Sequence, residues 1–507
     1  MLEGDKILIG KGEQNVYLLP SMANRHGLIA GASGTGKTIT LKVMAESFSM
    51  LGVPVFLADV KGDLAGMCKP GAPSDGIKKR LGKMGFTEFT LTDFPTAFWD
   101  VYGERGTPVR TTVSDMGPML LARLLGLTDV QEGVLNVVFR IADDKKLLLI
   151  DLKDLRAMLK YVGDNRAEFT TAYGNVSTQS VGAIQRAMIA LEDQGGDQFF
   201  GEPALDLDDW LAQDARGRGV INVLDCVKLY QNPTLYAAFM LFLLSDLFEK
   251  LPEAGDMDKP KMVFFFDEAH LLFADANKAL IQKIEQVAKL IRSKGVGVYF
   301  ISQSPSDIPD TVLAQLSGRV QHALRAYTPS EQKSIRAAAQ SFRENPAFDT
   351  GTVLTQLGVG EALCSFLDED GVPSVVERAM ILPPQSLMGT IPDAERACVI
   401  EKNPLNAKYR ATVDRVSASE DLTSAFEKAQ QQQAQAAASQ AAQAQAEADE
   451  KAAERARKEA EKEAQRAAKE RERMLKPIER AASSAIGSFG RQLGRDLARG
   501  LFGTRRR

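Results

Sequence analysis

A glycine-rich run between two apolar segments, GASGTGKT at residues 31–38, constrains this chain more than any other feature. Residues 26–30 have the pattern of a short buried strand, and residues 38–51 have that of a helix. Glycines in the loop let the backbone curve around an anion, so that amides and the helix N-terminus face phosphate oxygens. Lys37 is placed to reach the β- and γ-phosphates, and the Thr38 hydroxyl is placed to bind Mg²⁺. The sequence therefore predicts a site for ATP and Mg²⁺ formed by Gly31, Ala32, Ser33, Gly34, Thr35, Gly36, Lys37 and Thr38.

Further apolar runs predict the other core strands. They lie at residues 53–59, 219–225, 262–267 and 296–302, with a weaker run at 320–324. Helical patterns separate these runs, and apolar strands that alternate with helices form doubly wound, mostly parallel sheets. The sequence therefore predicts an α/β fold with a mostly parallel sheet.

We expect seven segments along the chain, because composition and periodicity change several times. They are an extended lead-in (1–30), a first part of the ATPase core (31–100), a mostly helical insertion (101–215), a second part of the core (216–385), a C-terminal extension (386–425), an Ala/Gln/Glu/Lys-rich helix (426–475) and a basic amphipathic tail (476–507).

Two acids follow the apolar run VFFF at residues 263–266. A core strand of this kind delivers them to the carboxyl edge of the sheet, where α/β proteins bind ligands. We expect Asp267 to bind Mg²⁺ and Glu268 to polarise the attacking water. Gln303 follows the next predicted strand and is a candidate sensor of the γ-phosphate.

Two neighbouring groups of polar residues are open to more than one interpretation. DEAH at residues 267–270 spells the tetrad of a helicase superfamily whose later Arg-rich motif is missing here, so we interpret the match as a coincidence. His270 is then a positioning residue or part of a capped turn. Asp59, Lys61 and Asp63 follow the strand predicted at residues 53–59. They either touch the Mg²⁺ shell or a neighbouring subunit, or they cap a loop.

Five motifs occur in one order across residues 5–385: GASGTGKT, LADVKGDLAG, FFFDEAH, KLIRSKGVGVYFISQSPSDIP and SGRVQHALRAYTPSEQ. This ordered set resembles the HerA/FtsK superfamily of ring-forming, DNA-pumping ATPases, and most of all the bacterial HerA-like ATPases of uncharacterised function. The resemblance implies a RecA-like P-loop fold, a homo-hexamer acting on DNA, and ATP bound between subunits. It also implies an arginine that reaches the γ-phosphate from the neighbouring subunit. Arg292 is the preferred candidate, with Arg319 and Arg325 as alternatives.

One feature of that superfamily has no counterpart in the sequence. HerA proteins carry a β-barrel before the phosphate loop, and this barrel docks the NurA nuclease. Only 30 residues precede Gly31, so we do not expect the barrel, which puts a partnership with NurA in doubt.

Composition favours a cytoplasmic protein with reduced thiols. The net charge is −4, and four cysteines are scattered without a C-x-x-C pair. No signal peptide is visible, and the longest apolar stretch, residues 235–244, is far shorter than the ~20 residues that span a membrane. Bulk charge gives no argument for nucleic acid, so any basic surface must be local.

The C-terminal part has a composition of its own. Residues 430–475 would form a helix of ~70 Å, either a solvated single helix or a weak coiled coil, and we expect Pro477 to end it. From Lys476 onward there are eight basic and two acidic residues. An apolar stripe runs through Ile478, Ala482, Ile486, Phe489, Leu493, Leu497 and Leu501. The tail could lie on anionic lipid, bind nucleic acid or pack against the protein's own ring.

The main functional hypothesis is a Mg²⁺-dependent, ring-forming ATPase that moves along or pumps DNA. The first alternative is a protein-remodelling or secretion-type ATPase of the same fold. The second is a scaffold that ATP assembles without hydrolysis, which the Glu beside Asp267 argues against. Stimulation of hydrolysis by double-stranded DNA would separate the motor from the protein remodeller.

Overall fold

The computed structural model describes residues 1–255, 257–273, 278–326 and 328–501, without the side chains of residues 278–280, 283, 330, 476 and 479–501. The chain divides into two units, Met1–Leu422 and Thr423–Arg507.

The strands of the described residues form one sheet. They are β1 (Leu2–Glu3), β2 (Lys6–Lys11), β3 (Asn15–Leu18), β4 (Gly27–Ala30), β5 (Val55–Asp59), β6 (Thr96–Asp100), β7 (Thr107–Pro108), β8 (Ile221–Asp225), β9 (Met262–Phe266), β10 (Val296–Ser302), β11 (Gly318–His322), β12 (Glu361–Ser365) and β13 (Glu377–Ile381). Their order is β1-β2-β13-β12-β11-β4-β10-β9-β5-β8-β6-β7, and β3 pairs with β2. The pairs from β11 to β7 are parallel, and those at the β1 end are antiparallel. The prediction of an α/β fold with a mostly parallel sheet is confirmed.

Helices of the first unit cover both faces of this sheet. The α-helices of the described residues are α1 (Lys37–Met50), α2 (Asp75–Met84), α3 (Val113–Leu124), α4 (Asp129–Lys145), α5 (Leu152–Asp164), α6 (Arg166–Tyr173), α7 (Thr178–Asp193), α8 (Gly196–Phe199), α9 (Pro233–Lys250), α10 (Lys278–Ile291), α11 (Asp310–Leu313), α12 (Pro329–Gln340), α13 (Thr350–Gln356), α14 (Asp393–Lys402), α15 (Pro404–Tyr409) and α16 (Ala418–Leu501). Residues 101–215 thus contain α3 to α8 and the short strand β7.

Strand residues alternate between two apolar clusters, one on each face. In β9, Phe264 and Phe266 belong to one cluster, and Val263 and Phe265 belong to the other. Helices α3, α4, α5, α7 and α9 contribute to the first cluster, and α1 contributes to the second. Because both faces are covered, β4, β5, β8, β9 and β10 consist of buried residues throughout, as is typical of parallel sheets.

The longest apolar run of the sequence lies in α9, where residues 235–244 are all buried. Its place in the core follows from its composition, since a helix that is apolar on every side must be covered on every side. Within the described part of the chain, no helix combines the length and the hydropathy needed to cross a bilayer.

The second unit contains most of α16, and the side chains of residues 423–475 are exposed. The expectation that Pro477 ends this helix is wrong, because α16 continues through Pro477 to Leu501. A proline removes one backbone hydrogen bond and kinks a helix, but the strong helix formers that precede it favour continuation. The coiled coil stays a prediction. The basic amphipathic tail also stays a prediction. Its apolar stripe from Ala482 to Leu501 and its arginines at 480, 491, 495, 499 and 505–507 lie outside the described side chains.

Candidate nucleotide site

Apart from the candidate arginines, the predicted site residues follow the carboxyl ends of three neighbouring parallel strands. The order β4-β10-β9 places one strand between the other two. The glycine-rich loop follows β4, Gln303 follows β10, and Asp267 and Glu268 follow β9. Since adjacent strands lie ~4.8 Å apart, the loop and the two acids are separated by ~10 Å, with Gln303 between them. This spacing leaves room for the terminal phosphate of a nucleotide and a water molecule.

Backbone hydrogen bonds hold the glycine-rich loop from both sides. The Gly31 N–H donates to the carbonyl of Ser302 at the end of β10 (3.3 Å), and the Ala32 N–H donates to that of Ala323 beyond β11 (2.9 Å). Gly31 has φ +154°, and a Cβ there would lie 2.5 Å from Cβ of His322. The close approach of His322 therefore requires glycine at the first position of the loop.

The Lys37 ammonium lies within the curve of the loop. Its Nζ donates to the carbonyl oxygens of Gly31 (2.6 Å) and Ala32 (3.2 Å), and the side chain is buried. Burial lowers the pKa of Lys37, while the charges of Glu268 and Asp267 act in the opposite direction. Because a phosphate oxygen is a stronger acceptor than a neutral carbonyl, an anionic ligand would draw Lys37 away from these carbonyls.

The remaining loop residues supply mainly backbone donors. Ser33 and Gly34 are exposed at the tip, and Thr38 is half-buried in the first turn of α1. The Thr35 hydroxyl donates to the Ala32 carbonyl at 2.6 Å, so it supports the loop from inside. The first amides of a helix have no intrahelical acceptor. The donor set of amides and one ammonium at a helix N-terminus therefore fits a phosphate chain.

The two adjacent acids differ in their surroundings. Asp267 is buried, and burial raises its pKa to about 6. Burial also acts to raise the pKa of Glu268, but the hydrogen bond and charge of Lys61 outweigh it, so that this pKa lies below its usual value. Lys61 Nζ is 2.6 Å from Oε1 of Glu268, and His270 Nδ1 is 3.3 Å from Oε2. Oε1 of Glu268 is thus paired with Lys61, whereas Oε2 is buried near His270 without a hydrogen-bond partner.

Mg²⁺ fits the composition of this site. In proteins it usually takes one or two protein oxygens and completes its shell with phosphate and water. The Asp267 carboxylate and the Thr38 hydroxyl are oxygen ligands of the required hardness. In the part of the chain that the structure describes, no group of three or more His, Cys, Asp or Glu residues could hold a metal ion by itself. The nucleotide would therefore complete the metal shell.

A cavity of about 460 Å³ opens beside Glu268. Lys61, His270, Gln303 and Tyr230 line it together with Glu268. Gln303 is exposed on its rim, so its amide is free to turn toward a ligand. The cavity brings Glu268, Gln303, Lys61 and His270 together around one space.

The three candidate arginines lie in different places. Arg292 precedes β10, at the edge of the sheet opposite the glycine-rich loop, ~20 Å away along the strand. Arg319 is half-buried in β11, where burial lowers its pKa. Arg325 lies beyond the carboxyl end of β11, and its guanidinium donates to the carbonyls of Thr355 (2.9 Å) and Leu357 (3.4 Å). Of the three candidates, only Arg325 therefore lies at the same end of the strands as the glycine-rich loop of its own chain.

The Asp59 carboxylate caps the turn that follows it, which is one of the alternatives that the sequence left open. Its buried carboxylate accepts the N–H groups of Gly62 (2.7 Å), Asp63 (3.2 Å) and Leu64 (3.1 Å). Burial raises the pKa of Asp59 to about 7. Lys61 projects from this turn to Glu268.

The contacts of His322 and Gly360 that hold the glycine-rich loop and the start of α1 in place were not predicted from the sequence. His322 Nε2 lies 2.8 Å from Thr40 Oγ1 and Nδ1 lies 2.9 Å from the Glu361 carbonyl, while burial lowers the pKa of His322 to about 4. The Gly360 N–H donates to the Thr35 carbonyl at 2.8 Å. No spacing rule connects these residues, because they come from different elements that meet only in the fold.

A family model described as "Helicase HerA-like C-terminal" matches residues 5–507. The DNA double-strand break repair helicase HerA of Sulfolobus acidocaldarius is 19% identical over 377 residues, which cover 70% of this chain and 65% of that protein. A probable helicase of Methanocaldococcus jannaschii is 31% identical over 150 residues, which cover 28% of each chain. The chain therefore spans less than two thirds of the length of these relatives.

Solved structures with the same fold include a bacterial conjugative coupling protein, TrwBΔN70. Its TM-score is 0.51 at 16% identity, with 78% of this chain and 92% of that chain covered. TrwB in complex with the non-hydrolysable ATP analogue ADPNP has a TM-score of 0.50 at 16% identity, with the same coverage. These neighbours agree with the predicted RecA-like P-loop fold.

Proposed function

Because the chain belongs to the helicase HerA-like C-terminal family, the family that its motifs predicted, we propose that it is a Mg²⁺-dependent ATP hydrolase acting as a ring-shaped motor on DNA. The observation that carries this proposal is the juxtaposition of Lys37, Asp267 and Glu268 along the carboxyl edge of one parallel sheet. This set supplies a cation for the phosphates, an oxygen ligand for the metal and a candidate base.

The glycine-rich loop binds the triphosphate through its amides, and Lys37 leaves its loop carbonyls to bind the β- and γ-phosphates. Thr38 and Asp267 would hold Mg²⁺, which would neutralise charge on the phosphate oxygens. Glu268 accepts a proton from the attacking water, and Gln303 orients that water from the rim of the cavity. The two acids have different proposed roles because their positions differ: Asp267 is buried at the end of β9, and Glu268 borders the cavity.

An arginine from a neighbouring subunit completes the site in a homo-hexamer. Rings join two different surfaces of each subunit, so such an arginine lies away from the loop of its own chain. Arg292 meets this condition at the opposite edge of the sheet, and Arg319 is the next candidate. Arg325 fits less well, because it lies on the side of its own loop and bonds the carbonyls of Thr355 and Leu357.

The test is phosphate release from Mg-ATP with and without double-stranded DNA. We expect hydrolysis by the wild-type protein and stimulation by DNA. Glu268→Gln should keep nucleotide binding and lose turnover by ~10²-fold or more, as general-base assistance disappears. Glu395→Gln is the matched control, since Glu395 also lies 2.6 Å from a lysine, Lys69, but does not line the cavity.

Three outcomes would contradict the proposal. No hydrolysis by the wild-type protein would favour the nucleotide-assembled scaffold. Hydrolysis that DNA leaves unchanged would favour a protein-remodelling or secretion-type ATPase. Equal loss of turnover in Glu268→Gln and Glu395→Gln would remove Glu268 from its assigned role.

A further inference from the structure

In this conformation, the Glu268 carboxylate is largely enclosed, with 9% of its side chain exposed. Oε1 is paired with Lys61 Nζ at 2.6 Å. Oε2 is fully buried and has no hydrogen-bond partner, and His270 Nδ1 lies 3.3 Å from it. A general base must reach the water it deprotonates at hydrogen-bond distance. Here Oε2 is enclosed, and at Oε1 a water has to compete with the Lys61 ammonium.

The backbone of Glu268 also departs from an ordinary conformation. Its φ of +47° lies in the left-handed region, where a residue with a side chain is strained. Strain of this kind persists only where surrounding contacts maintain it. The Lys61 pair is one contact that holds the Glu268 side chain in this arrangement.

Lys61 combines an anchored backbone with a half-exposed side chain. The turn that carries it is anchored by the Asp59 carboxylate, which accepts the amides of Gly62 and Leu64. The Lys61 side chain itself is 44% exposed and lines the 460 Å³ cavity. It can therefore exchange partners without any change in the turn.

The charges around this space indicate what would draw Lys61 away. The ammonium groups of Lys61 and Lys37 are close enough to affect each other, and both face Asp267 and Glu268. A phosphate that Lys37 binds brings negative charge into the same space. That charge competes with Glu268 for Lys61, because a dianionic phosphate attracts an ammonium more strongly than one carboxylate does.

We propose that Lys61 is a latch that keeps Glu268 away from the attacking water until the terminal phosphate of a nucleotide takes over the Lys61 ammonium. The latch rests on the proposed function, since it regulates the same hydrolytic site. Because Glu268 and the phosphate compete for the Lys61 ammonium, a fraction of the ATP-bound sites stays latched, and that fraction limits hydrolysis in the absence of the DNA partner. Loss of the Lys61 charge should therefore raise the DNA-free rate.

The chain provides a matched control for this experiment. Lys69 and Glu395 form a second pair with the same 2.6 Å separation, and the Lys69 side chain is 42% exposed against 44% for Lys61. The variants are Lys61→Met, which keeps the length of the side chain but removes its charge, Lys61→Arg, which keeps the charge, and Lys69→Met. Each is compared by kcat and KM for ATP without DNA, and by equilibrium binding of a fluorescent ATP analogue.

Lys61→Met should raise the DNA-free kcat by about three- to fivefold, the factor expected for a partly exposed pair. Lys61→Arg and Lys69→Met should stay within about twofold of the wild-type kcat, and their analogue binding should also stay within about twofold. Lys61→Met should bind the analogue more weakly, because it lacks the ammonium that moves to the terminal phosphate. In a Glu268→Gln background, Lys61→Met should have no effect on kcat, because the group that it releases is gone.

An unchanged or lower kcat in Lys61→Met would overturn the latch, and so would an equal rise in Lys69→Met. A rise that persists in the Glu268→Gln background would also overturn it, because the effect would not pass through Glu268. These results differ from failure of the proposed function, in which the wild-type protein binds the analogue but hydrolyses no ATP, and the latch then falls as well.

Discussion

Two turns that follow neighbouring strands begin with a buried aspartate and use it in opposite ways. After β5, the chain folds back on Asp59, whose carboxylate accepts the amides of residues 62–64. After β9, the chain leaves Asp267 through a short helical turn at Ala269–Leu272. The first carboxylate accepts three amides of its own loop, whereas the second is the carboxylate that we propose as a Mg²⁺ ligand.

The difference depends on which residue has a left-handed backbone. In the β5 turn it is Gly62, with φ +74°, three residues after the acid. In the β9 turn it is Glu268, directly after the acid. A left-handed residue three positions after the aspartate turns the chain back, so that the amides of residues 62–64 reach the Asp59 carboxylate. A left-handed residue directly after the aspartate directs the chain away from the Asp267 carboxylate. The position of the left-handed residue thus distinguishes a structural aspartate, Asp59, from a candidate metal ligand, Asp267.

The largest expected effect is on Asp267. Asp267→Asn should lower turnover by about 100-fold or more, because a neutral amide is a weak ligand for Mg²⁺. The thermal midpoint should stay the same or rise, since burial disfavours the charged carboxylate. Phosphate release and thermal unfolding of the same preparations test both parts. A large fall in the midpoint would make Asp267 structural and erase the contrast with Asp59.

Asp59→Asn should show the reverse pattern, with lower stability and a smaller effect on turnover. Replacing one acceptor oxygen with an amide that cannot accept should cost about 1–3 kcal/mol. Burial raises the pKa of Asp59 to about 7, so between pH 4 and 7 the folded protein binds more protons at this site than the unfolded chain. This contribution to stability is therefore present at low pH and is lost as the pH rises through about 7.

The destabilisation caused by Asp59→Asn should accordingly be larger at pH 5 than at pH 8, as measured by thermal unfolding of both proteins at each pH. A cost that is constant across this range, or larger at pH 8, would show that the carboxyl is charged throughout. It would also remove the pKa contrast on which the prediction depends.

The smallest expected effect is on Gly62. Gly62→Ala should destabilise by about 1 kcal/mol, because its left-handed backbone disfavours a Cβ, although the added atom would lie at a tolerable 3.3 Å from Val227 Cγ2. Gly82→Ala is the control of opposite sign, since Gly82 lies in α2 and a Cβ there meets no atom within 4 Å. Equal changes in thermal midpoint for both variants would mean that Gly62 does not shape the turn.

The sequence predicted those parts of the fold whose signal is local. The buried strands β4, β5, β8, β9 and β10 consist of apolar runs, because both faces of the sheet are covered and favour apolar side chains. The strands β12 and β13 were missed, because they lie toward the antiparallel end and β13 alternates between buried and partly exposed residues. Their pairing is set by the sheet and not by their own composition.

The same distinction applies to the candidate site. The loop at residues 31–38 and the pair Asp267–Glu268 are contiguous motifs with a known chemical logic, so their proximity could be predicted from strand order. The contacts of Lys61 with Glu268 and of His322 with Thr40 could not, because each joins side chains from elements distant in sequence. Only the fold defines such pairs.

The exposure of α16 has a consequence for how its sequence can change. Side chains from residue 423 to residue 475 face solvent. Positions there contribute through their intrinsic helix preference and through exchangeable pairs one turn apart, such as Lys458 with Glu454. Substitutions among Ala, Gln, Glu, Lys and Arg there should each alter stability by less than about 0.5 kcal/mol. The order of residues in this segment can therefore drift widely while its composition is kept, whereas the sheet edge admits almost no exchange.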